Sequence, residues 1–158
     1  MPRRRTVKRR TISAPPGGVL LATEGRAISK AAVDKAAELA REDGGPVHVF
    51  AVARIYGTSF ALPNPWLRPN AQEWQEIRDI VAKAIAALER KGLQADGNIL
   101  GTRKATKRIV GEAERLGCHA IVMSGDPPAN RVKADFMWSQ EPYRVQRRAK
   151  LPVHVVVD

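Results

Sequence analysis

At 158 residues the chain suits one domain and leaves little room for a second. Hydrophobic residues make up 44% and charged residues 27%, a balance that excludes a wholly disordered chain, and no apolar run approaches the roughly 20 residues that cross a bilayer. The net charge is +11, and a single cysteine, Cys118, excludes a disulfide within the chain; with no apolar signal core behind the basic N-terminus, the expected location is cytoplasmic.

Residues 1–17 form a basic arm. Arg3, Arg4, Arg5, Lys8, Arg9 and Arg10 lie in its first ten positions, and no acid appears before Glu24. That leaves about +5 on the rest of the chain. An arm that repels itself and buries almost nothing is expected to be disordered. It suits an anionic partner such as nucleic acid or lipid; the alternatives are a solvated tail or a stretch translated from an upstream start codon. No aromatic residue interleaves the arginines, so base stacking is unsupported.

Residues 18–158 read as one α/β domain. Val19-Leu20-Leu21-Ala22-Thr23 is a short apolar run bounded by Gly25, the pattern of a buried parallel strand. A helix is expected over residues 28–41, with an alanine-rich apolar stripe and a stop at Gly44-Gly45. Residues 47–52 form the second strand. A proline-rich loop follows, carrying Phe60, Leu62, Trp66 and Leu67, a candidate lid or dimer cover, with packing back onto the domain as the alternative. Asn70 and Glu73 stand at capping-box spacing before a helix with apolar Trp74, Ile77, Val81, Ala84, Ile85 and Leu88. A weak strand spans residues 94–100, a helix residues 104–116, and a buried strand residues 120–123. After a long loop holding Phe136, Met137 and Trp138 come a basic helix over residues 141–149 and a last strand over residues 152–157. Pro142 fits that helix only in its first turn.

Alternating strands and helices imply an open, doubly wound five-stranded parallel sheet with helices on both faces. Ligands in such sheets sit beyond the carboxyl ends of the strands. The last strand is apolar at Val153, Val155, Val156 and Val157. At a sheet edge its open backbone would invite antiparallel pairing with a second copy, so a homodimer is expected through residues 153–157.

From residue 18 onward the chain resembles the universal stress protein family. Val19-Leu20-Leu21-Ala22-Thr23-Glu24-Gly25 is similar to that family's V-A-x-D-G-S strand and turn. Leu116-Gly117-Cys118-His119-Ala120-Ile121-Val122-Met123 is similar to its L-G-A-D-L-I-V-M-G strand, and the stretch from Arg144 to Val156 to its R-V-x-x-x-A-x-x-P-V-x-V-V close. The resemblance implies strand order 3-2-1-4-5 and a dimer. It also points to Ala22, Thr23, Glu24, Gly25, Val52, Met123, Ser124, Gly125, Ser139 and Gln140 as candidate ligand-lining positions.

Family members that bind ATP carry G-x2-G-x9-G-S/T after the fourth strand, where glycines let backbone amides approach phosphate. Here Gly125 is the last glycine, and Pro128 and Trp138 stand where the next two would be; only Ser139 fits. Proline lacks an amide hydrogen, so Asp126-Pro127-Pro128 adds a charge and removes two donors. Glu24 also replaces the usual aspartate and Arg26 the usual serine. No cofactor is therefore expected, and ATP binding in the family's usual way is disfavoured.

Four cations, Arg103, Lys104, Lys107 and Arg108, crowd the start of the third helix and oppose its macrodipole. They form a candidate patch for an anion or acidic partner, against the alternative of a screened, solvated face. His48, His119 and His154 lie on or beside different strands without a second ligand at helical spacing, so they are expected to be ordinary core or surface histidines, and Cys118, lacking a C-x-x-C partner, is expected to be structural. Glu24 and Asp126 could pair or hold Mg²⁺, but separate capping or turn roles are the expectation. No catalytic or P-loop motif is present. The resulting reading is a non-enzymatic, dimeric binding or regulatory protein of the universal stress type. One alternative is a nucleotide-binding regulator with a remodelled phosphate loop; another is a nucleic-acid-associated protein using the basic arm.

Overall fold

The computed structural model describes residues 15–54, 71–126 and 140–157. Its strands are β1 (Val19–Thr23), β2 (Val47–Arg54), β3 (Ala95–Thr102), β4 (Ala120–Gly125) and β5 (Val153–Val157). Its helices are α1 (Lys30–Asp43), α2 (Ala71–Arg90), α3 (Ala105–Leu116) and α4 (Glu141–Arg148). All strand pairs are parallel, as the alternation of elements predicts, and the order is β3-β2-β1-β4-β5, as the family resemblance implies. Most of the arm, the proline-rich loop with Asn70, and the segment holding Phe136, Met137, Trp138 and Ser139 lie outside the described residues.

Strand alternation builds two cores. Val19 and Leu21 of β1 and Val47, Val49, Ala51 and Ala53 of β2 face α1 and α2. Leu20, Ala22, Phe50, Val52, Ile121 and Met123 face the other way, toward α3 and α4. In α1 the buried positions are Ala32, Val33, Ala36, Ala37 and Ala40, small side chains that let the helix lie close to the sheet. On β3, Gly97 serves the same end against α2: a Cβ there would stand 2.5 Å from Val81 Cγ1 and 2.8 Å from Ile85 Cδ1.

The helix boundaries have local causes. α1 starts at Lys30, two residues later than the apolar stripe suggests, because Ser29 is extended and its hydroxyl accepts from the Ala32 amide at 3.1 Å. Ile28 still packs on the core from outside the helix. Gly44 and Gly117 end α1 and α3 in the left-handed conformation, with φ of 69° and 66°. α4 starts at Glu141 with Pro142 in its first turn. These connections place the start of α1, the start of α4 and the ends of β1 and β4 at one edge of the sheet.

Candidate functional site

The carboxyl ends of β1 and β4, where the strand order reverses direction, form the crevice. The turn after β1 is self-contained. Thr23 Oγ1 donates to the Arg26 carbonyl at 2.6 Å and accepts from the Gly25 amide at 3.2 Å. Gly25 has φ 115°, which glycine adopts readily. Across the crevice, Ser124 Oγ accepts from the Ser29 amide at 3.1 Å and donates to Ser29 Oγ at 3.2 Å. One hydroxyl at the end of β4 thus ties down the start of α1.

Charge in the crevice is arranged around Arg26. Its Nε donates to Glu24 Oε1 at 2.6 Å, and its Nη2 to Asp126 Oδ2 at 3.3 Å. Glu24 and Asp126 therefore neither pair directly nor hold separate turn roles, which corrects the sequence expectation: a guanidinium bridges them. Glu24 is fully buried, and its Oε2 has no hydrogen-bond partner among the described residues. Burial pushes the Glu24 carboxyl above its ordinary range, Arg26 pulls it back, and the charge of Glu141 adds to the rise. Glu141 itself is buried at the start of α4, where Thr106 Oγ1 donates to its Oε1 and Arg144 Nη1 stands 3.8 Å from its Oε2. Tyr143 Oη donates to the Asp126 carbonyl at 2.7 Å.

Two carboxylates thus share one central guanidinium, and a third, Glu141, is buried nearby with its charge felt by Glu24. A helix N-terminus ordinarily offers amides to an anion. At α4 that position is taken by the Glu141 carboxylate and by Pro142, which has no amide hydrogen. Gly125 is needed for packing: a Cβ there would lie 2.5 Å from Val155 Cγ1 and 3.7 Å from Pro142 Cγ.

The remaining sequence candidates divide. Thr23, Glu24, Gly25, Ser124 and Gly125 come together at the crevice. Ala22, Val52 and Met123 spend their side chains in the core facing α3 and α4. Gln140 is the half-buried residue just before α4, and Ser139 lies outside the described residues. Arg26, Ser29 and Glu141 were not among the candidates. Arg26 stood out only as a departure in the first turn, and no sequence signal marked the other two.

Arg103, Lys104, Lys107 and Arg108 are all exposed around the start of α3. The Lys104 amide donates to Thr102 Oγ1 at 3.0 Å, while the Lys104 side chain caps nothing. Among the described residues no group of three or more His, Cys, Asp or Glu is placed to bind a metal. His48 is buried between Asp96 and Gly17, and His119 lies 3.2 Å from Asp43. Burial pushes the Cys118 thiol up to about 11, so it stays protonated at neutral pH, in keeping with a structural role.

The profile of the universal stress protein family matches residues 18–156. The chain belongs to the universal stress protein family. Solved universal stress proteins share the fold. A universal stress protein from Archaeoglobus fulgidus is 20% identical with TM-score 0.67, covering 87% of this chain and 96% of its own. One from the same organism in complex with dAMP is 22% identical with TM-score 0.62, covering 91% and 98%. A universal stress protein in complex with cAMP is 19% identical, also with TM-score 0.62, covering 92% and 98%. No curated protein matches the sequence. Within this universal stress fold, no described helix is long and apolar enough to cross a membrane.

Proposed function

We propose that this universal stress protein is a non-catalytic binding and regulatory module. It acts as a homodimer on a partner or a small ligand and does not hold ATP in the family's usual way. The observation that carries this reading is the Glu24–Arg26–Asp126 chain, with Glu141 buried beside it. Among the described residues, the guanidinium at the centre of the crevice, that of Arg26, is already shared between two carboxylates. A triphosphate entering there would meet further negative charge in a partly desolvated site, where like charges repel strongly. The Thr23 hydroxyl is spent within its own turn, and those of Ser29 and Ser124 on each other and on the start of α1. Among the described residues of the crevice none has the nucleophile-and-base arrangement that hydrolysis needs. No cofactor is part of this proposal.

A second reading is a nucleotide-binding regulator with an altered phosphate loop. It is favoured by the dAMP and cAMP in the complexes of two structural neighbours. Isothermal titration of the ligand-stripped chain with ATP, AMP and cAMP separates the two. The first reading expects no saturable heat at millimolar nucleotide. A micromolar dissociation constant for ATP overturns it, and it should then also appear as a rise in melting temperature with nucleotide concentration.

A further inference from the structure

The two faces of the sheet carry different charge. Helices α1 and α2, with Lys91 at the end of α2, hold seven basic and eight acidic residues. Helices α3 and α4, with Arg103, Lys104 and Lys150 at their ends, hold nine basic and three acidic. Of those three acids, Glu141 is buried and Glu112 is paired with Arg115 at 2.6 Å. Only Glu114 remains exposed on these two helices.

The cations point outward because the apolar positions point inward. α3 buries Ala105, Ile109, Val110 and Ala113, and α4 buries Pro142 and Val145. That leaves Arg103, Lys104, Lys107 and Arg108 exposed on one helix and Arg144, Arg147 and Arg148 on the other. The three α4 arginines line, with Thr106, a shallow depression of about 390 Å³ where the helices meet. Apart from the 3.8 Å approach of Arg144 to Glu141, none of the seven holds an ion pair among the described residues. The arrangement does not serve α3 itself. Cations at a helix N-terminus oppose the macrodipole, and α3 lacks the side-chain cap that Ser29 gives α1.

We infer that the α3/α4 face binds the phosphate backbone of duplex nucleic acid without reading its sequence. Arginine dominates the patch, and its guanidinium fork suits phosphate oxygens. An anionic membrane fits less well. The large exposed hydrophobics among the described residues are Leu100 and Val157, on β3 and β5, so neither helix offers an apolar side chain to insert. A single strand also fits less well. Tyr143, the aromatic of these helices, is half-buried with its hydroxyl bound to Asp126, which leaves no platform for stacking bases. This surface meets the crevice at Arg144, 3.8 Å from Glu141, but its test uses duplexes in the absence of nucleotide, so it does not depend on the ligand proposed there.

The test is fluorescence anisotropy of the full-length chain with labelled DNA and RNA duplexes of about 20 base pairs, between about 50 and 200 mM salt. We expect log K to fall linearly with log salt, by about 0.9 for each phosphate neutralised. The variant R144Q/R147Q/R148Q should make that slope shallower by about 2–3 and weaken binding at least tenfold at the lowest salt. K30Q/K83Q on the opposite face should change neither. Circular dichroism should be unaltered in both, since the substituted side chains are exposed. No binding at the lowest salt overturns the proposal, as does a triple variant that keeps both affinity and slope. Loss of all binding on deleting residues 2–10, with the triple variant unaffected, assigns binding to the arm and also overturns it. Equal capture by anionic lipid vesicles, abolished by the same triple variant, reassigns the face to a membrane.

Discussion

His48 stands directly opposite Asp96 in the β2–β3 register, and its Nδ1 lies 2.6 Å from the Asp96 Oδ1. Its other ring nitrogen, Nε2, lies 3.1 Å from the Gly17 carbonyl oxygen. Both partners are acceptors, so the ring satisfies both only as the imidazolium. Glu112 and Arg115 of α3 face the same hollow but are engaged with each other. The bond to Asp96 raises the His48 pKa, and burial opposes the rise without cancelling it. A raised folded pKa contributes stability that is fully present below the ordinary value of 6.5 and is lost as pH rises through the folded pKa. His48→Ala should therefore cost about 1–3 kcal/mol at acidic pH and less at alkaline pH. Urea midpoints of the two proteins at pH 6 and pH 9 check this. A gap that does not narrow removes the imidazolium from the account.

Glu24 titrates with the opposite cause. Burial raises its pKa above 4.5, so the fold prefers the proton and the charged form costs stability as pH rises through that range. Glu24→Gln removes the charge while keeping an oxygen for Arg26 Nε. The stability difference between variant and wild type should move in the variant's favour from pH 4 to pH 8, by about 1.4 kcal/mol for each unit the Glu24 pKa is raised. Thermal melts at the two values measure it. If the difference is the same at both, Glu24 is not held in a desolvated site.

The fold was legible because β1, β2 and β4 are apolar runs too short for helices, and because α2 repeats its apolar residues at three and four. Those signals are local. The crevice is less legible because its key bonds join residues far apart in sequence. Arg26 and Asp126 are 100 positions apart, and nothing at either position announces the other. Ser29 is a cap without the glutamate three residues on that would advertise it, so the start of α1 was placed too early. The His48–Asp96 pair could have been found by counting register from the first residues of two parallel strands. The burial of Glu141 could not, since a glutamate at the start of a helix ordinarily faces water.

At Gly97 the side chains of α2 pack directly onto the backbone of β3. Its backbone has no need of a left-handed conformation, so any cost of substitution comes from packing alone. The added methyl of Gly97→Ala would meet Val81 Cγ1 at 2.5 Å and Ile85 Cδ1 at 2.8 Å, and Val81 is buried. We expect destabilisation of about 1–3 kcal/mol, read from urea unfolding. Gly97→Ala with Val81→Ala should recover part of the loss. A neutral single substitution means that α2 shifts freely on the sheet.

β5 is an edge strand whose outer backbone has no partner strand among the described residues, and its last residue, Val157, is 41% exposed. A long apolar edge invites pairing, and two copies meeting antiparallel across a two-fold axis would satisfy it. Light scattering should then give twice the chain's 17.3 kDa at micromolar concentration. Val157→Lys should shift the population toward single chains with little change in melting temperature, because a charge on the edge opposes pairing and the side chain is not part of the core. A two-fold axis perpendicular to a continuous sheet keeps each face on its own side, so the α3/α4 surfaces of both copies would lie together. Dissociating the dimer should therefore weaken duplex binding beyond what one lysine adds, through lost avidity. A wild-type chain that scatters as a monomer at high micromolar concentration rules out both the pairing and the joined surface.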